Sequence, residues 1–294
     1  REVRVTILGI AQDGGYPQAG CKRNCCVAAI NNPLLGKHPV SLGIVGADFS
    51  THLIEATRDL AWQLNLWNSI DPIDRPLDSL CITHSHQGHI DGLGLFGKEV
   101  INSTNLNLNC SKSLSKLIQE TPNWNLLLKS GNISINTFTN NIPFSPSKNC
   151  GFEIKPIKVP HRGELSDTHA FLIKGPNKNL LFLPDHDSWE KTLKSVNQKT
   201  ILEWFKSEKI DVALIDGTFW SKNELIHRKQ SEIPHPTIMD SLKLIGKREK
   251  LSLEIKFIHL NHTNPLLNNT SNVEMKIIDE MGWSIASEGE SFVL

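Results

Sequence analysis

Three of the twelve histidines in this 294-residue chain fall within six positions, in the stretch Thr83-His84-Ser85-His86-Gln87-Gly88-His89-Ile90-Asp91-Gly92. Imidazole is the commonest side-chain ligand for metals. A helix cannot gather this set, because residues i and i+2 point about 200° apart. A loop beyond a strand can, with Gly88 and Gly92 permitting a tight backbone, and the apolar run 77–83 reads as that strand. The pattern recurs along the chain. His161 follows the run 157–160, Asp185 follows 181–184, Asp216 closes 212–215 and His259 ends 255–258. Ligand sites in α/β proteins lie beyond the carboxyl ends of strands. Together these residues offer nitrogens and carboxylate oxygens that suit Zn, Fe or Mn, as one or two ions with positions left open for water. Asp216, before Gly217, also reads as a plain turn residue, and Asp187 competes with Asp185, whose place directly after 181–184 favours it.

The elements that must position these groups can be read in outline. Val3, Val5 and Ile7 alternate with polar residues before Gly9 and predict an opening strand. Further strands are expected over 41–45, 52–55, 77–83, 152–159, 170–173, 180–183, 212–215 and 255–260. Helices are expected through Leu60, Leu64 and Trp67 and over 111–118, 200–207 and 236–245. Interleaved strands and helices with hairpin-like pairs imply a layered α/β domain with mixed sheets. Residues 10–40, rich in Gly, Pro, Cys and Asn, read as a long structured loop that something must pin. Length alone suggests one to two domains. Candidates spread from His84 to His259 must close on one site, which favours a single domain over 1–294.

Composition narrows the partners. Lys+Arg and Asp+Glu balance at 31 each, which argues against nucleic acid or a membrane surface. No apolar run reaches the roughly 18 residues of a membrane span. A small-molecule substrate is the expected partner, and a homodimer stays open. Six cysteines do not make a disulfide scaffold. Cys81, Cys110 and Cys150 read as buried small hydrophobes. Cys21, Cys25 and Cys26 crowd into the 10–40 loop, one thiol short of a zinc knuckle, so chance thiols remain an alternative. Residue 1 is Arg rather than Met, which reads as removal of an N-terminal segment and leaves a cytoplasmic and an exported, periplasmic location both open.

Competing motifs lack their context. Gly92-Leu93-Gly94-Leu95-Phe96-Gly97 is a literal G-x-G-x-x-G, and 92–98 matches G-x-x-x-x-G-K. Glu99 stands where a P-loop needs Ser or Thr, and His-rich residues separate the strand from the first Gly, so close packing is the expected role. No G-x-S-x-G elbow supports a serine hydrolase. Prolines on both sides fix the backbone at His235, which suits a substrate-facing group or a structural loop. His38, His52, His169, His186 and His227 carry no spacing signal and read as ordinary polar residues.

The ordered set His84-Ser85-His86-Gln87-Gly88-His89, His161, Asp185 and His259 resembles the metallo-β-lactamase superfamily, whose signature is H-x-H-x-D-H followed by His, Asp and His. Gln12-Asp13-Gly14-Gly15-Tyr16-Pro17-Gln18, Pro160-His161-Arg162, Pro184-Asp185, Asp216-Gly217-Thr218-Phe219-Trp220 and His259-Leu260-Asn261-His262-Thr263-Asn264-Pro265 are similar to the branch containing pyrroloquinoline-quinone biosynthesis protein B. The resemblance implies a four-layer αββα sandwich with the metal site along one edge. It places His84, His86 and His161 at one ion and His89 and His259 at a second, with Asp185 bridging. Gly88 stands where the signature has a carboxylate, which weakens the second site and leaves a single ion open. Asp91, three residues on, reads as an acceptor that orients a histidine. In a related phosphoribosyl cyclic phosphodiesterase, three loop cysteines and a late histidine hold a structural zinc. By that likeness Cys21, Cys25, Cys26 and His262 would hold one here and pin the loop.

The function so implied is metal-dependent hydrolysis, by a metal-activated water, of a phosphodiester, cyclic phosphate, lactone or other ester. Asp185 would position the water or accept its proton, and His235 would protonate the leaving group. Two alternatives stand beside it: an iron-dependent oxygenase of the quinone-cofactor biosynthesis type, and a non-catalytic cofactor-binding or carrier protein.

Overall fold

The alternation at the start of the chain becomes β1 (Arg4–Gly9), followed by β2 (Ser41–Val45), β3 (Thr51–Ile54), β4 (Ser79–Cys81), β5 (Leu106–Cys110) and β6 (Ile133–Thr137). The second half carries β7 (Glu153–Val159), β8 (Thr168–Lys174), β9 (Asn179–Leu183), β10 (Val212–Asp216), β11 (Glu254–Ile258), β12 (Ser284–Ile285) and β13 (Ser291–Val293). The helices are α1 (Asn24–Asn31), α2 (Leu60–Ile70), α3 (Gln87–Ile90), α4 (Lys112–Glu120), α5 (Pro122–Lys129), α6 (Trp189–Ser195), α7 (Ile201–Ser207), α8 (Ile238–Ile245) and α9 (Asn272–Met281). This computed structural model describes residues 2–72, 76–226, 228–249, 252–267 and 272–294; His227 lies outside them.

Two mixed sheets result, in the orders β13-β1-β2-β3-β4-β5-β6 and β12-β11-β10-β9-β8-β7. The first is antiparallel from β13 to β3 and parallel from β3 to β6. The second is parallel from β12 to β9 and antiparallel from β9 to β7. The central strands β9 and β10 are apolar almost without interruption and buried along their length, as strands covered on both faces must be. One buried cluster joins the two sheets, with Ile44, Phe171, Phe182 and Phe257, and runs on to Trp204 and Leu242 of α7 and α8. A second joins the first sheet to α2, α4 and α5 through Leu53, Trp67, Leu80, Leu114 and Leu127. The layers are therefore helices, sheet, sheet, helices, the expected mixed α/β arrangement. Side-chain oxygens of Ser111, Ser188, Thr200 and Thr237 cap four of the helices, each satisfying an orphan N–H. No helix among the described residues is long and apolar enough to cross a membrane.

Two expectations need correction. Residues 10–40 are not all loop: 24–31 form α1, which carries Cys25 and Cys26. Among the described residues Asp91 meets no histidine; it pairs with Arg58 at 3.2 Å near the surface. The expected close packing at the Gly-rich segment is present. A Cβ at Gly92 would lie 1.9 Å from the Thr57 carbonyl oxygen, and backbone cannot yield there. Gly92→Ala should therefore lower the melting temperature by about 2–5 °C in a calorimetric scan, the equivalent of overpacking by about 1–3 kcal/mol. An unchanged melting temperature would show that the contact can relax.

Candidate metal centre

His84, His161, Asp185 and His259 sit just past the carboxyl ends of strands. β4 leads into His84, β7 into His161, β9 into Asp185, β10 ends on Asp216 and β11 leads into His259. α3 turns immediately after His86, which brings Gly88 and His89 back beneath the strand ends. His259 and Glu55 adopt left-handed backbone, φ 65° and 70°, without being glycine. Such conformations cost about 1–3 kcal/mol and cluster where function requires them.

The rings converge. His84 Nε2 and His161 Nε2 lie 2.9 and 3.2 Å from His86 Nδ1. Donors held at 2.0–2.1 Å by one tetrahedral ion lie about 3.4 Å apart. Asp185 occupies the middle: its Oδ2 is 3.5 Å from His84 Nε2, 2.9 Å from His89 Nε2 and 3.4 Å from His259 Nε2, and its Oδ1 is 3.8 Å from His161 Nε2. Asp187 instead lies behind His161, 3.5 Å from Nδ1, so Asp185 is the central carboxylate of the two. His235 reaches the same carboxylate, with Nδ1 3.7 Å from Asp185 Oδ1.

Outer partners set the rings. Thr83 Oγ1 is 2.9 Å from His84 Nδ1. Thr218 donates its hydroxyl to Asp216 Oδ1 and meets His259 Nδ1 at 2.8 Å, so the His259 proton belongs on Nδ1 and its Nε2 lone pair faces inward. Asp216 Oδ2 accepts from His235 Nδ1 at 2.7 Å. Glu55 lies 3.4 Å behind His89 Nδ1. Asp216 is thus no plain turn residue; it holds His235 and Thr218. Sequence reading also overlooked Asp13, Glu55 and Thr218. Asp13 Oδ1 lies 3.4 Å from His259 Nε2 and 3.7 Å from His89 Nε2. Glu55 and Thr218 were legible by the same rule as the others, since each directly follows or lies two residues beyond an apolar strand.

The electrostatics fit a cation. Burial alone would raise Asp185, but His259, His89 and His161 outweigh it and hold its carboxyl well below the usual carboxylate range. Burial pushes Glu55 up, against the pull of His89. Burial lowers His84, helped by the neighbouring His89, and lowers His161 to about 4. His235 goes the other way: burial opposes its charge, yet Asp216 raises it above the ordinary histidine value. His89 Nε2 and Asp185 Oδ2 are buried 2.9 Å apart without an aligned hydrogen bond. Buried polar groups so placed are normally paired or coordinate a metal. The donor groups His84/His86/His161, His84/His89/Asp185 and Asp13/His89/His259 each bring their ligand atoms within reach of one ion.

A separate group lies at α1. Cys21 and Cys25 sulfurs are 3.7 Å apart, Cys25 and Cys26 3.9 Å, and His262 Nδ1 is 3.7 Å from Cys25 and 3.3 Å from Cys26. These are the spacings of four donors around a zinc with Zn–S about 2.3 Å and Zn–N about 2.0–2.1 Å. All six cysteines are free thiols, and Cys81, Cys110 and Cys150 are buried as expected. The unassigned histidines are not surface residues throughout: His52, His169 and His186 are buried. His186 bonds Thr192 at 2.7 Å, His52 lies between Ser79 and Ser50, and His169 packs edge-on against Phe138. His86 Nε2 meets Glu164 at 3.2 Å at the outer rim of the centre.

Residues 51–252 match the family described as the Beta-lactamase superfamily domain. Coenzyme PQQ synthesis protein B of Xanthomonas axonopodis pv. citri is 25% identical, with 99% of this chain and 100% of that protein covered. The protein of the same name from Nitrosococcus oceani is 24% identical, with 99% of each covered. Among solved structures, Zn2+-bound PqqB from Methylobacterium extorquens superposes with a TM-score of 0.79 at 19% identity, over 99% of this chain and 100% of that one. A diphosphatase of the PhnP family gives a TM-score of 0.66 at 18% identity, over 100% and 98%.

Proposed function

The chain belongs to the metallo-β-lactamase superfamily, and from that premise we propose that it is a metal-dependent hydrolase of a small phosphodiester, cyclic phosphate, lactone or other ester. The observation that carries this reading is Asp185, set between two groups of imidazole nitrogens with both oxygens turned toward them. A carboxylate shared in this way suits paired ions about 3.5–4 Å apart, the arrangement of hydrolytic two-metal sites, and favours hydrolysis over a one-ion oxygenase or a carrier. His84, His86 and His161 would hold one ion, His89 and His259 would contribute to a second, and Cys21, Cys25, Cys26 and His262 would hold a structural zinc. When bound, the ions at the histidine centre polarise the substrate oxygen and acidify the attacking water. Zinc fits the donor set of the histidine centre, as Fe or Mn also do. Residues 1–294 read as one domain built around this centre.

The chain's own groups do the rest. Asp185 orients the water, which gives up its proton to solvent as its oxygen bonds to phosphorus or carbonyl carbon. The bond to the leaving oxygen then breaks, its electron pair going to that oxygen. His235, whose Nδ1 is engaged by Asp216, has Nε2 left to protonate it. His235→Gln should lower kcat by about 10²-fold for an alkyl leaving group and leave p-nitrophenolate release almost unchanged, because a good leaving group needs no proton. Equal losses for both substrates would remove His235 from the role of acid.

A further inference from the structure

The family signature has a carboxylate at the position of Gly88, and sequence alone offers no replacement nearby. We propose that Asp13, 75 residues away, supplies it, so that Asp13, His89, His259 and Asp185 together hold the second divalent cation. This rests on the metal-dependent reading above.

Three observations carry it. The first is space. A Cβ at position 88 would lie 2.5 Å from Asp13 Cα, 2.8 Å from its Cβ and 2.7 Å from its Cγ. Asp13 therefore fills the volume that a side chain at 88 would need, and only glycine at 88 admits it. The second is direction. Asp13 Oδ2 accepts the Gly88 N–H at 3.1 Å, which fixes the carboxylate and leaves Oδ1 turned toward His259 Nε2 at 3.4 Å and His89 Nε2 at 3.7 Å. The His89 ring is fully buried, its Nε2 facing Asp185 and Asp13 and its Nδ1 facing Glu55, none of them in an aligned hydrogen bond. An imidazole in that state calls for an ion on its inward face. The third is how the segment is held. Gln12 N–H donates to Leu260 O and Leu260 N–H donates to Ile10 O, both at 2.9 Å, so backbone pairing locks Asp13 beside the residue that follows His259. Farther along the same segment, the thiol group meets His262. The carboxylate has thus moved from the histidine loop to the N-terminal segment while its oxygen remains beside the same two rings.

A plainer role for Asp13 would be to accept the Gly88 N–H alone. Asparagine would serve that purpose equally well, which makes Asp13→Asn the discriminating variant. Metal per chain is measured by plasma mass spectrometry on the full chain after equilibration with Zn2+, and affinity by calorimetric titration with Zn2+. Asp13→Asn should lose one ion per chain, or bind it at least tenfold more weakly, while retaining the ions at His84/His86/His161 and at the thiols. Gly88→Ala should lose the same ion, because its Cβ displaces Asp13. The exchange Asp13→Gly with Gly88→Asp should restore it. Asp13→Asn with parental stoichiometry and affinity overturns the proposal, as does an exchange variant that melts at the parental temperature and does not regain the ion. A parent chain with one ion at the histidine centre, unaffected by Asp13→Asn, overturns this proposal and leaves the metal-dependent reading standing. A parent with none there overturns both.

Discussion

His84→Ala is expected to empty the ion position formed with His86 and His161, leave the thiol-held ion in place and lower kcat/KM by about 10³-fold or more. His84 Nε2 lies within hydrogen-bonding distance of His86 and 3.5 Å from Asp185, so its loss removes one of three nitrogen donors and unseats the carboxylate they share. A Lewis acid contributes several kcal/mol to charge stabilisation, and about 4 kcal/mol corresponds to that fold-change. Metal counts read beside the kinetics distinguish a lost ligand from a lost fold. Full activity and full metal content in this variant would exclude His84 from the centre.

Cys26→Ala should have the largest effect on stability. The Cys26 sulfur is buried, and without a metal its thiol is pushed up to about 12, first by burial and also by the neighbouring sulfurs. Zinc reverses that preference by fixing the thiolate. Structural zinc supplies about 10–16 kcal/mol in isolated zinc-finger peptides. Here two large buried clusters also hold the chain together, so a loss of about 3–5 kcal/mol, or about 5–8 °C in melting temperature, is expected with one fewer ion per chain. Cys150→Ala is the control: its sulfur donates to the Ser147 and Phe152 carbonyls, and it should change no metal count. Unchanged zinc in Cys26→Ala would show that the thiol cluster holds no ion.

Much of the centre could be read from sequence because its donors follow short apolar strands. Runs such as 181–184 and 212–215 have the length and composition of buried strands, so a His or Asp at their ends stands out. Asp13 escaped because three residues separate it from the end of β1 and its partners lie far along the chain. Contacts made by backbone closure leave no local periodicity. β5 and β6 were missed for another reason: Leu106-Asn107-Leu108-Asn109-Cys110 alternates correctly, but asparagine signals turns more strongly than strands. α1 hid in a segment rich in turn formers and is only eight residues long. Isolated helices of that length have no strong sequence signature, and tertiary packing decides them. His52, His169 and His186 show the converse, since nothing in spacing tells a buried, hydrogen-bonded histidine from a surface one.

The most direct test is hydrolysis of bis(p-nitrophenyl) phosphate by the zinc-loaded full chain in the absence of dioxygen. The expected result is release of p-nitrophenolate that chelation abolishes, zinc restores and His84→Ala prevents. Turnover that appears only with iron and dioxygen, or zinc-loaded protein that hydrolyses neither this diester nor a cyclic phosphate, lactone or simple ester, would contradict a metal-dependent hydrolase.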